Sequence, residues 1–125
     1  MKIIFVYQQW TGKLGLISGY FARRAGGIIP PLNLGLLAAI AREGGHECSI
    51  IDAEIDRINQ EELVNKVVEE NPDLVAVTGM SPFFHLTKKF SEALKEVRPD
   101  LTILLGGQHL TIQRQQAFHK CFDYA

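Results

Sequence analysis

The stretch "LVAVTGMSPFFHLTKKFSEALKEVRPDLTILLGG", residues 74–107, holds one complete strand–helix–strand unit. Its outer runs, "LVAVT" (74–78) and "TILLG" (102–106), are unbroken and apolar, the pattern of parallel strands covered on both faces. Between them, Ser81-Pro82 reads as an N-cap followed by a first-turn proline. Phe83, Leu86, Phe90, Ala93, Leu94 and Val97 then recur at helical spacing until Arg98-Pro99 stops the run. Two parallel strands joined by such a helix form a right-handed βαβ unit.

The same alternation extends in both directions. "IIFVY" (3–7) and "CSII" (48–51) are further strand runs. Pro30-Pro31 precedes a helical "LNLGLLAAIARE", which should end at the glycine pair Gly44-Gly45. Asn59 and Glu62 have capping-box spacing for a helix with apolar face Leu63, Val64, Val67 and Val68, closed by Asn71-Pro72. Thr111 is expected to cap a fourth helix reaching about Lys120, and "FDYA" to open a fifth strand. This order predicts an α/β, flavodoxin-like (Rossmann-like) doubly wound parallel sheet with strand order 2-1-3-4-5. The chain stops as the fifth strand starts, so residues 1–125 read as one domain excised from a longer protein. The segment "QQWTGKLGLISGYFARRAGGIIPP" (8–31) is long for a compact domain, and connections of that length are often functional or disordered.

Bulk properties narrow the function classes. A chain of 125 residues with 46% apolar and 22% charged residues suits one soluble core. A net charge of −1 gives no electrostatic reason to expect nucleic acid or acidic lipid as partner. No apolar run approaches the roughly 20 residues of a membrane span. Lys2 alone before the first strand is too little for a signal peptide, so the cytoplasm is the expected location. Cys48 and Cys121 form neither a disulfide framework nor a ligand spacing, and no histidine pair has one, so no metal site is expected.

In open α/β sheets ligands lie beyond the carboxyl ends of the strands. Four loops qualify: 8–31, Asp52-Ala53-Glu54, Thr78-Gly79-Met80-Ser81, and Gly106-Gly107-Gln108-His109. Two of them combine glycine with hydroxyl or amide residues, which expose main-chain N–H groups and permit close approach. Trp10 in the long loop is the aromatic expected to face a ligand. A receiver-domain phosphorylation site fails, because Gln8-Gln9 and Thr78-Gly79 stand where acidic residues would be needed. No dinucleotide fingerprint or P-loop follows the first strand. No catalytic residue set is visible, so the domain reads as a binder.

With these loops placed, a family resemblance emerges. "PPLNLGLLAAIAREGGHECSIIDAE" resembles the stretch that opens many radical S-adenosylmethionine proteins carrying an N-terminal cobalamin-binding domain. "NPDLVAVTGMS" and "RPDLTILLGGQHLT" are similar to that family's third and fourth strands with their loops. The likeness covers roughly residues 29 to 125. It implies cobalamin, a corrinoid, held at the strand carboxyl ends with its nucleotide tail beside the sheet. By position, Thr78, Gly79, Met80 and Ser81 would line the tail on one side, and Gly106, Gly107, Gln108 and His109 on the other. Asp52, Ala53 and Glu54 would stand at the rim. Loop 8–31 has no histidine, so the resemblance implies cobalt without a lower histidine, with Trp10 or Tyr7 beneath it. A [4Fe-4S] cluster and S-adenosylmethionine are expected only in a downstream radical domain of the same chain, serving a methyltransferase or related oxidoreductase reaction.

Two other readings are open at this level. "GGIIPPLNLGLLAAIAREGGHEC" is also similar to the acceptor-side domain of two-domain glycosyltransferases. A domain of the same fold that has lost cobalamin and serves as a scaffold is the third.

Overall fold

The computed structural model describes residues 1–9 and 30–125. Four strands, β1 (Lys2–Tyr7), β2 (Glu47–Asp52), β3 (Leu74–Thr78) and β4 (Thr102–Gly106), form one parallel sheet ordered β2-β1-β3-β4. This is the expected flavodoxin-like α/β arrangement. Beyond β4, Tyr124 makes a single parallel bridge to Leu104, on the side where a fifth strand belongs.

Successive strand residues point to opposite faces, which explains why the runs are apolar throughout. Ile4, Val6, Ile51, Val75, Val77, Ile103 and Leu105 face one side. There they meet α3 (Gln60–Glu70) through Leu63, Val64 and Val67, and α4 (Phe84–Val97) through Phe84, Phe90 and Leu94. Ile3, Phe5, Cys48 and Ala76 face the other side, where α1 (Leu32–Glu43) covers them with Leu34 and Ala38.

The helix ends follow local chemistry. α1 has no side-chain cap; its first turn hangs from the Pro31 carbonyl, and it stops at Gly44, with Gly45 in the left-handed region at φ 84°. α3 starts with the expected capping box: Asn59 accepts from the Glu62 N–H, and Glu62 accepts from the Asn59 N–H.

Three local expectations need correction. Ser81 does not cap α4; it opens a 3-10 turn (Ser81–Phe83), and its hydroxyl turns instead to His109. Thr111 caps nothing, because α5 (Gln108–Gln113) begins three residues earlier, with Gly107 at its N-cap. That helix also stops short of Lys120, passing into a 3-10 turn (Arg114–Ala117) with Arg114 at φ 51°. Finally, Ala53 and Glu54 belong to a short helix, α2 (Ala53–Asp56), rather than an open loop.

Candidate functional site

All four strands present their carboxyl ends at one edge of the sheet, and strand order reverses between β1 and β3. Tyr7 and Thr78 therefore flank the switch point where ligands gather in this architecture.

The loops after β3 and β4 are joined directly. Gly79 donates its N–H to the Gly106 carbonyl at 2.8 Å, and the His109 N–H donates to the Gly79 carbonyl at 3.0 Å. Gly107 adopts φ +101°, and a β-carbon there would stand 2.7 Å from Gly79 N, Gly79 O and Thr78 Oγ1. Its glycine is required by contact between the loops. This corrects one expectation: the two glycine loops do not open a cleft between themselves.

The open space lies one layer over, on the α1 face. A groove of about 350 Å³ runs between α1 (Asn33, Leu34, Leu37, Ile40) and the exposed flank of β3 and β4. Its floor is Ala76 and Leu104, and Thr78, Gly106 and Gly107 stand at the strand-tip end. Among the described residues, none that lines it is charged. At Gly106 an added β-carbon would meet only the Val77 carbonyl, at 3.9 Å, so this glycine keeps the groove end clear and is not forced by crowding.

The remaining sequence-derived candidates divide. Asp52 spends its carboxylate as the N-cap of α2, accepting from the Glu54 and Ile55 N–H groups at 3.0 and 3.1 Å. Ala53 and Glu54 are buried beside it. The His109 ring stacks on Phe84 at 3.9 Å, with Nδ1 3.1 Å from Ser81 Oγ. Ser81 and His109 thus clamp the two loops on the α4 side, away from the groove. Gln108 is exposed at the start of α5. Met80 lines a small crevice at the switch point with Tyr7, Gln8, Gln9 and Thr78. Trp10 lies outside the described residues.

Gln8 and Gln9, which stand where a phosphorylation site would need acidic residues, both line the switch-point crevice. Their position directly after β1 was the available signal. Leu37, Ala76 and Leu104, which line the groove, read in the sequence as core because they are apolar residues in a helix and strands. Among the described residues, no group of three histidine, cysteine, aspartate or glutamate side chains could hold a metal ion. No described helix is long and apolar enough to cross a membrane.

Away from the strand tips, Asp123 ties the C-terminal segment to β4. It accepts from the Ile103 N–H at 2.8 Å and pairs with Lys95 at 2.8 Å. Burial works to raise this carboxyl, but the Lys95 hydrogen bond, the Ile103 N–H and the Lys95 charge outweigh it and hold it below its usual value. Burial, and after it the Glu92 charge, push the Cys121 thiol above its usual value.

A parallel sheet with its strand carboxyl ends at one edge and an apolar groove beside its third and fourth strands defines a doubly wound α/β domain. Residues 20–125 match the B12 binding domain family, and the chain belongs to it. It is 27% identical over 121 residues to the anaerobic magnesium-protoporphyrin IX monomethyl ester cyclase of Cereibacter sphaeroides, covering 96% of this chain and 18% of that protein. It is 25% identical over 117 residues to the enzyme of the same name from Rubrivivax gelatinosus, covering 93% of this chain and 20% of that protein. The chain therefore spans about a fifth of the length of these relatives. No solved structure matches it.

Proposed function

We propose that this domain, residues 1–125, holds cobalamin, with the nucleotide tail in the groove between α1 and β3–β4 and the corrin ring over the strand tips. The groove is the observation that supports this most. Its volume of about 350 Å³ lies within the roughly 300–1,000 Å³ usual for small-molecule sites. Its walls are apolar, as a flat aromatic base requires, and its mouth is main chain and hydroxyl at Gly106, Gly107 and Thr78. Family membership points the same way and sets this reading above the glycosyltransferase one.

In this reading Ala76, Leu104 and Leu37 grip the base, while Gly106 leaves room for the linker to pass. Met80 and Tyr7 stand at the switch point beneath the ring. With no histidine in loop 8–31, the chain supplies no lower histidine to the cobalt. Cobalamin, when bound, supplies a metal centre able to carry a methyl group. We propose that it serves a radical reaction in a longer protein whose downstream part binds the [4Fe-4S] cluster and S-adenosylmethionine. The word "anaerobic" in the relatives' name agrees with an oxygen-labile cluster.

The test is to mix the purified chain with hydroxocobalamin, gel-filter it and record the visible spectrum. Co-elution with a spectrum showing the nucleotide base displaced from cobalt is expected, because a base buried in the groove cannot also coordinate the metal. Colourless protein after saturation would refute the reading.

A further inference from the structure

The switch-point crevice contains a feature that the tail groove does not explain. Gln8 Nε2 is buried and has no hydrogen-bond partner among the described residues. An amide donor left in this state costs free energy, and native proteins rarely retain one without a reason. Gln8 and Gln9 stand between two spaces. One, of about 20 Å³, lies toward Thr78 and Met80 and has room for about one water-sized group. The other, of about 140 Å³, lies toward Asn59 and Gln60, floored by Leu63, Leu86 and Phe90. Every described residue lining the two spaces is uncharged, and among them four carry carboxamides. Carboxamides of this kind can exchange hydrogen bonds with neutral amides.

We propose that Gln8 is a ligand-binding residue whose carboxamide donates to a neutral carbonyl oxygen of the molecule seated over the strand tips. This inference rests on the cobalamin reading, and the acceptor is then one of the carboxamide arms around the corrin rim. The unpaired donor is the cost of keeping that position ready. Gln8 reads the ring and not the tail, which lies on the opposite face of the sheet.

Gln8→Met keeps the side-chain length and removes the amide. The variant and the unaltered chain are titrated with hydroxocobalamin and with dicyanocobinamide, which retains the amide arms but lacks the nucleotide tail. Thermal unfolding of the ligand-free proteins is measured in parallel. Gln8→Met is expected to weaken both corrinoids by a similar factor, roughly 5- to 20-fold. It should also raise the ligand-free Tm by roughly 2–6 °C, since the buried orphan donor is gone. Unchanged corrinoid affinity would mean that the amide holds only water, and the proposal falls. Weakened binding with a lowered Tm would make Gln8 a structural residue and also overturn it. Weakening confined to hydroxocobalamin would place Gln8 on the tail, against the proposal. If the unaltered chain binds neither corrinoid, the cobalamin reading fails and takes this inference with it; failure of the Gln8→Met arm alone leaves that reading standing.

Discussion

Gly107 lies so close to Gly79 that a β-carbon on it would stand 2.7 Å from both the nitrogen and the oxygen of Gly79. The tips of β3 and β4 are thereby fixed to one another by main-chain contact. Gly107→Ala must break that contact and also strain a residue at φ +101°. A loss of at least about 2 kcal/mol in urea unfolding is expected. Gly106→Ala, with only a carbonyl at 3.9 Å, should cost about 0.5 kcal/mol or less while weakening corrinoid retention by narrowing the groove end. Equal destabilisation by the two variants would contradict this division of labour.

Ala76 lies on the floor of the groove and is 7% exposed. Ala76→Phe directs a ring into the space assigned to the nucleotide base. Circular dichroism should show a folded protein, and hydroxocobalamin should no longer co-elute with it. Retained binding by this variant would move the tail elsewhere.

Asp123 contributes stability in its charged form. Because its folded value is depressed, that contribution is present above the unfolded carboxylate value of about 3.9 and is lost as pH falls through the folded value. Acid unfolding of Asp123→Asn should therefore show a shallower loss of stability below about pH 4 than the unaltered chain. At neutral pH the variant should be about 1 kcal/mol less stable, from the weakened bonds to Ile103 and Lys95. Parallel acid-unfolding curves would show that Asp123 does not carry this dependence.

Asn59→Ala removes the side-chain acceptor of the α3 capping box. About 1 kcal/mol of stability should be lost. An unchanged urea midpoint would show that the box adds nothing to the fold.

The sheet was legible because each strand is a short apolar run between helix stop signals, and the Asn59–Glu62 pair marked α3 without ambiguity. Helix starts near the strand tips were harder. Ser81 and Thr111 have capping chemistry, but tertiary contacts take them elsewhere: the Ser81 hydroxyl to His109, and Thr111 into a helix already begun at Gln108. Local propensity cannot anticipate such partners. For the site, the rule about strand ends selected the edge where the groove ends and the switch-point crevice lies, and of the glycines at 79, 106 and 107 it is Gly107 that takes up a positive φ. What they do was not readable, since Gly107 meets Gly79 across a separation in sequence that no spacing pattern records. The groove was invisible for a related reason: Ala76 and Leu104 look like core until the space above them is seen.

The joined strand tips have a mechanical consequence. They make one jaw of the groove stiff, pinned into the sheet through β3 and β4. Its opposite jaw, α1, buries only Leu34 and Ala38, starts without a side-chain cap and ends at a glycine pair. When a guest of imperfect size enters, the strain should therefore be taken up by a swing of α1, leaving the sheet edge in register.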